Sequence, residues 1–195
     1  MKDQSESKLY TVTVVGGSGF LGSHVADQLT EAGHHVRIYD KIGSPWKRPN
    51  QEMVVGDLLD VGLLNKTIAG SDVVYNFAAL ADLDQANNQP IETIRTNILG
   101  NAQILEACRL TGVKRFICAS TVYVYSREGG FYRCSKQAAE HYVEEYQRVY
   151  GLDYTILRFG SLYGPRANQF NGIRNIIMQA MKNNKIIRMG DGEEI

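Results

Sequence analysis

Tyr132 and Lys136 stand four residues apart in the run Tyr132-Arg133-Cys134-Ser135-Lys136, a spacing that puts a phenol and an ammonium on one face of a helix. A free tyrosine is too weak an acid to exchange protons efficiently near neutrality, and a nearby positive charge favours its phenolate and lowers its pKa. Such a pair can do general acid–base work on a hydroxyl group. The spacing alone is weak, because a chain with 11 tyrosines supplies such pairs by chance. An amphipathic helix with Tyr132, Ala139, Tyr142, Val143 and Tyr146 inward and Lys136 in water is the ordinary alternative. Position decides between them. The helix follows a strand-like run at 115–119 that leads into the hydroxyl pair Ser120-Thr121, and the carboxyl ends of parallel strands are where such sheets hold ligands.

A second set of residues is suited to a phosphate. Val12 to Val15 read as a buried strand, and Gly16-Gly17-Ser18-Gly19-Phe20-Leu21-Gly22 turns the chain into a helix that starts near Phe20. In such a turn Gly16 takes a backbone conformation closed to side chains, Gly19 lets the main chain approach a pyrophosphate, and Gly22 lets helix and strand pack closely. The free N–H groups of the helix start suit the phosphate charge. The next apolar run closes on Asp40, whose carboxylate can accept hydrogen bonds from an adenosine ribose and would repel a 2′-phosphate. NAD is thereby favoured over NADP, with Arg37 and Lys41 pulling weakly the other way.

The elements that must position these groups alternate regularly. Strand-like runs at 11–15, 35–39, 53–55, 73–77, 115–119 and 154–158 are interleaved with helical stretches at 20–31, 61–68, 91–111 and 131–150. That rhythm predicts stacked βαβ units, a Rossmann-type, doubly wound parallel sheet of the α/β class covered on both faces. Pro90 suits the start of the long third helix, and Gly33, Gly70, Gly112 and Gly151 suit helix ends. After Gly164-Pro165 a loop, a helix near 172–182 and a short strand near 186–189 follow. The expected organisation is a polar tail at 1–8, a dinucleotide-binding domain with the catalytic residues at 9–164, and at 165–195 the start of a smaller C-terminal substrate lobe, apparently truncated as in a piece of a longer protein.

Composition narrows the partners. Of 195 residues 44% are hydrophobic, enough for one good core, and 21 basic side chains balance 21 acidic ones, so no global field recruits nucleic acid or an anionic membrane. The polar opening Met1-Lys2-Asp3-Gln4 lacks a signal-peptide core, and no apolar run is long enough to cross a bilayer. Cys108, Cys118 and Cys134 read as buried thiols of a reducing compartment, and a cytoplasmic location is expected. His24, His34, His35 and His141 lack the spacing of a metal site, and none is expected.

Taken together the motifs resemble the extended short-chain dehydrogenase/reductase family, the NAD-dependent nucleotide-sugar epimerase/dehydratase group. Besides the glycine turn, Gly56-Asp57-Leu58 is similar to the family's GDL segment at the adenine, and Asn76-Phe77-Ala78-Ala79 to the strand end that lies along the cofactor. Thr96-Asn97-Ile98-Leu99-Gly100 resembles its TNxxG helix segment, Ser120-Thr121-Val122-Tyr123-Val124-Tyr125 its SSxxVY segment, and Arg158 through Pro165 its RxxxxYGP segment. The resemblance implies that Tyr132 is the base on a sugar hydroxyl, that Thr121 holds the same oxygen, and that Lys136 binds the nicotinamide ribose and tunes Tyr132. It implies cofactor contacts from Gly16, Gly19, Phe20, Leu21, Gly22, Asp40, Asp57, Leu58, Phe77, Ala78, Ala79 and Asn97, besides Tyr132 and Lys136. The lesser local readings are that Thr121 caps a strand turn, Asn97 bonds to backbone and Asp57 caps the helix that follows.

Departures from the family pattern choose among its reactions. Dehydratases of the group carry an Asp–Glu pair after the catalytic threonine and decarboxylases keep the glutamate; Val122 and Tyr123 stand there in this chain. Elimination is disfavoured, and the expectation is an NAD-dependent epimerase of a nucleotide-diphosphate sugar that works by transient oxidation to a keto sugar and hydride return. The alternatives are a sugar dehydrogenase/reductase or dehydratase of the same family, or a non-catalytic dinucleotide-binding module, and these 195 residues alone can be inactive. Only Ser126 to Phe131 separate the VY segment from Tyr132, where many relatives have a longer substrate loop, and Ser161 replaces the asparagine expected before the YGP segment. A homodimer through the helices at 91–111 and 131–150 is also implied by the resemblance.

Overall fold

In the computed structural model, described for residues 8–169 and 171–186, six strands form one parallel sheet in the order β3-β2-β1-β4-β5-β6. The strands are β1 (Thr11–Val15), β2 (His35–Asp40), β3 (Glu52–Val55), β4 (Val73–Asn76), β5 (Arg115–Thr121) and β6 (Asp153–Phe159). The order reverses between β1 and β4, which opens a crevice at their carboxyl ends, and the expected doubly wound fold is the one observed. The chain divides into two compact units, Met1–Gly160 and Ser161–Ile195.

Helices α1 (Phe20–Glu31), α2 (Val61–Ile68), α3 (Leu83–Asn88), α4 (Pro90–Thr93), α5 (Gly100–Thr111) and α6 (Gly130–Tyr150) belong to the first unit, and α7 (Gly172–Asn183) to the second. Side chains alternate across the sheet, so each face gathers its own core. Val12, Val14, Val36 and Ile38 pack with Ala26 of α1 on one face. Val15, Tyr39, Val74, Phe116 and Cys118 pack with Leu64, Ile104, Leu105 and Val143 of α2, α5 and α6 on the other. Asp60 caps α2 by accepting from Leu63 N, and Asp82 caps α3 by accepting from Gln85 N.

Several expectations need correction. The helix predicted at 91–111 is interrupted by a π-helical turn, Ile94–Leu99, between α4 and α5. The wider turn coincides with the inward Asn97, whose amide is drawn to the backbone of Leu80 rather than to its own helix. Helix α3 is absent from the sequence reading, because its polar run Leu83-Asp84-Gln85-Ala86-Asn87-Asn88 has no apolar period and buries only Ala86. Cys108 and Cys118 are buried as expected, but Cys134 is exposed on the outer face of α6. Tyr142 is also 48% exposed, whereas Lys136, which the amphipathic alternative leaves in water, is only 6% exposed. Except for Ile186, which is not in a strand, the strand expected at 186–189 lies outside the described residues, as does the tail apart from Lys8.

The glycine turn is held by backbone packed on backbone. Gly16 has φ +77°, and a Cβ there would lie 2.4 Å from the Ala78 nitrogen. At Gly22 a Cβ would lie 2.2 Å from the Gly16 carbonyl oxygen, so α1 can sit this close to the turn only without a side chain. Gly22→Ala is expected to destabilise the fold by about 1–3 kcal/mol through this overpacking, read as a lowered midpoint in thermal unfolding.

Candidate functional site

The carboxyl ends of β1, β2, β4 and β5 bring most of the sequence-predicted residues to one edge of the sheet. Gly16 N donates to Tyr39 O at 2.8 Å, and Phe77 N donates to Val15 O at 2.8 Å, so the glycine turn lies between the ends of β2 and β4. Gly19 stands apart from its neighbours in the turn. Its φ is −76°, and a Cβ would meet only the Gly16 oxygen, at 3.4 Å. Neither conformation nor packing within the protein demands glycine there, while α1 begins with no side-chain cap. An uncapped helix start beside an exposed glycine is the arrangement a phosphate requires, so these residues fit a dinucleotide.

Asp40 is fixed beside the glycine turn. Its Oδ2 accepts from Ser18 N at 3.0 Å and its Oδ1 from Ile42 N at 3.3 Å. A carboxylate has about four acceptor positions, so roughly two remain for ribose hydroxyls. Arg37, weighed in the sequence as a counter-signal, points elsewhere: its Nε pairs with Glu52 at 2.8 Å and its Nη1 bonds to the Thr67 carbonyl. Asp57 does not cap α2. Its Oδ1 accepts from Leu59 N at 2.8 Å, and its carbonyl accepts from the Tyr39 hydroxyl at 2.6 Å. Leu58 crosses α5 where a Cβ at Gly100 would lie 2.7 Å from its Cδ1, which joins the GDL and TNxxG segments through one contact.

Phe77 turns its ring into the core, stacked on Tyr75 with centroids 5.9 Å apart, so its share in the crevice is backbone. Ala78 packs under Gly16, and Ala79 follows half-buried. Phe20 and Leu21 are half-buried in the first turn of α1.

Asn97 is a fastening rather than an open ligand. Its Nδ2 donates to Leu80 O at 3.0 Å and to Ser135 Oγ at 2.9 Å, and its Oδ1 accepts from Leu80 N at 2.7 Å. Both amide hydrogens are used, so the side chain ties the strand-end loop at Leu80 to α6 beside Tyr132. Ser135, which sequence reasoning passed over, completes the tie by donating to Tyr132 O at 2.7 Å. Asn76 was likewise missed as a side chain: its Oδ1 accepts from Ala78 N at 3.0 Å and its Nδ2 donates to Asn101 at 2.9 Å.

Thr121 ends β5, is buried, and accepts from Tyr123 N through Oγ1 at 3.3 Å. That bond leaves the hydroxyl hydrogen free to donate. Lys136 Nζ donates to Ala119 O at 2.8 Å and lies 5.8 Å from the centroid of the Tyr132 ring. The helix therefore joins the phenol and the cation to the end of β5. Their acidities differ from the sequence expectation. Burial pushes the Tyr132 phenol up to about 12, with Cys118 and Tyr123 acting in the same direction, and burial pushes Lys136 down. The ammonium faces the ring and the Ala119 carbonyl, and in the free protein the lowering of the tyrosine expected from the sequence is not found.

A model of the NAD dependent epimerase/dehydratase family matches residues 12–195. A putative UDP-glucose 4-epimerase of Methanocaldococcus jannaschii is 30% identical over 94% of this chain and 67% of its own length. A UDP-N-acetyl-alpha-D-glucosaminuronate decarboxylase of Bacillus cytotoxicus is also 30% identical, over 93% of the chain and 64% of the relative. The crystal structure of a UDP-glucose 4-epimerase with UDP-glucose from Thermotoga maritima superposes with a TM-score of 0.86 at 30% identity, covering 94% of this chain and 67% of that one. The chain thus spans about two thirds of the length of these proteins.

Gly19→Ser separates binding from folding. A serine at this helix N-cap is expected to leave the unfolding midpoint unchanged or higher, while its Cβ and hydroxyl weaken dinucleotide binding about tenfold or more in a calorimetric titration.

Proposed function

We propose, since this chain belongs to the NAD dependent epimerase/dehydratase family, that it forms the NAD-binding and catalytic part of an epimerase acting on a nucleotide-diphosphate sugar. The observation that carries this reading is the buried Lys136 joined to Ala119 O and facing the Tyr132 ring, at the strand end that carries Thr121. Residues 9–164 are assigned to the dinucleotide domain and 165–195 to the start of a substrate lobe. The turn from Gly16 to Gly22 with Phe20 and Leu21 would hold the pyrophosphate, Asp40 the adenosine ribose, Asp57 and Leu58 the adenine, and the backbone of Phe77, Ala78 and Ala79 the floor below. Asn97 supports that floor from behind through Leu80.

Bound NAD supplies a reversible hydride acceptor, which lets a carbinol carbon pass through a keto sugar. The protein's residues handle the proton and the oxygen. Tyr132 takes the hydroxyl proton as hydride leaves the same carbon and returns it in the reverse step, and Thr121 donates a hydrogen bond to that oxygen. Lys136 binds the nicotinamide ribose and holds positive charge near the phenol. Val122 and Tyr123 supply no carboxyl group for elimination, which favours epimerisation over dehydration and decarboxylation.

A homodimer is part of the proposal. Leu110 of α5 and Tyr142, Val149 and Tyr150 of α6 leave large apolar surface exposed on the two helices. No helix among the described residues is long and apolar enough to cross a membrane.

Incubated with UDP-glucose and catalytic NAD, the native protein is expected to form the epimer with no net NADH, followed by NMR of the sugar and absorbance of the nucleotide. Net NADH would mark a dehydrogenase instead. Tyr132→Phe is expected to keep NAD affinity and to lower turnover about 10²–10⁴-fold. Because burial disfavours the phenolate, wild-type kcat/KM should rise from neutral toward alkaline pH, and the residual activity of Tyr132→Phe should lack that rise.

A further inference from the structure

Helix α6 carries a third ionisable side chain on the stripe that begins with Tyr132 and Lys136. Glu140 lies one turn beyond Lys136 and is only 6% exposed. It is gripped from β6 by Arg158, whose Nε donates to Glu140 Oε1 at 3.0 Å and whose Nη2 donates to Oε2 at 2.7 Å. Such two-point guanidinium–carboxylate pairing fixes both partners in direction as well as distance. Arg158 in turn lies over the ring of Tyr125, 4.8 Å from its centroid, and bonds to the Tyr125 hydroxyl. Tyr125 ends the 3-10 turn Val122–Tyr125 that leaves Thr121, so the pair connects β6, α6 and the turn after β5.

The groups form a row of alternating charge that runs outward from the core: Lys136 positive and buried, Glu140 negative and buried, Arg158 positive and partly in solvent. A buried ammonium bonded to a single carbonyl is costly, and an unpaired buried charge sheds or gains a proton when it can. We propose that Glu140, held in place by Arg158, is a positioning residue that keeps Lys136 charged and seated beside Tyr132. This rests on the reading of Lys136 as the residue that serves Tyr132 and the cofactor ribose.

The surroundings allow the charges to be assigned. Lys136 lies over Tyr132 and one turn before the buried Glu140 on α6, with the Ala119 carbonyl and the Cys118 thiol on β5 beside it. Beyond Glu140 stands Arg158 of β6, and the 3-10 turn contributes the phenols of Tyr123 and Tyr125. Glu140 is the carboxylate in this set. Burial works against its ionisation, but Arg158, with a smaller contribution from Ser120, holds its pKa below the usual range. The Ser120 hydroxyl is buried beside this cluster.

The two members of the pair should therefore move Lys136 in opposite directions, which a purely structural role would not do. The test is an NMR pH titration of the Lys136 ¹⁵Nζ resonance in the cofactor-free chain, assigned by its loss in Lys136→Met. Glu140→Gln removes the counter-charge and is expected to lower the titration midpoint by about one pH unit, whereas Arg158→Gln frees the Glu140 charge and is expected to raise it. Midpoints that stay in place, or shift in the same direction, would overturn the proposal. Should Glu140→Gln not fold by circular dichroism, Glu140→Asp, which keeps the charge but draws it back from Lys136, takes its place and is expected to lower the midpoint, and an unchanged or raised midpoint sinks the idea. A parallel NAD titration keeps the two readings apart, because a chain that binds no NAD fails the proposed function without altering the Lys136 result.

Discussion

The bond from Lys136 Nζ to Ala119 O fixes the geometry on which the proposed catalytic edge depends. It joins the long helix α6 to the last turn of β5, so that Tyr132 and Thr121 are carried by two elements locked together. A lysine this deeply buried brings a desolvation cost of several kcal/mol unless its surroundings answer its charge. The carbonyl of Ala119 and the face of the Tyr132 ring answer it directly, and the Glu140 carboxylate one turn further along α6 is the proposed counter-charge. The same burial that seats the lysine also desolvates the phenol, which pushes the Tyr132 hydroxyl up to about 12. In the free protein the tyrosine is thus an acid held in reserve. The added positive charge of an oxidised nicotinamide beside it is what would bring it toward a working base.

The remainder of the first unit keeps this edge stiff. Asn97 ties the loop at Leu80 to Ser135, and Ser135 bonds to the backbone of Tyr132. Arg133 reaches Ser126 O and Gln137 reaches Val124 O, so the turn after Thr121 is held by the residues next to Tyr132 and Lys136 on the same helix. At the other end of the crevice Asp40 and the glycine turn brace each other through Ser18. Placing reacting groups on rigid, mutually bonded elements is how a site gains effective concentration without ordering costs at each turnover.

Much of this is legible in the sequence, and the pattern of what is legible has a physical cause. The six strands and the helices at Phe20–Glu31 and Val61–Ile68 follow local hydrophobic periodicity, which needs no knowledge of distant residues. The glycine turn is readable because steric demands at Gly16 and Gly22 arise within a few residues and from the adjacent strand. The stripe Tyr132, Lys136 is readable as a four-residue spacing, and extending it by one more turn reaches Glu140. What that spacing does not reveal is Arg158, because the partner comes from another strand 18 residues away. Asn97 is similar: its partners Leu80 and Ser135 lie 17 and 38 residues off, and the π-helical turn that admits it leaves no mark in the apolar period. The direction of the Tyr132 shift was also beyond local reasoning, since it depends on how deeply α6 is packed.

The most direct measurement of the central claim is calorimetric titration of NAD into the wild-type chain and into Lys136→Met, a variant that keeps an unbranched stem, one atom shorter, without the charge. One NAD bound per wild-type chain, with affinity reduced at least about tenfold in a Lys136→Met protein that remains folded, is the result the account predicts. Equal affinity in the two proteins, or no binding by the wild type, would contradict it.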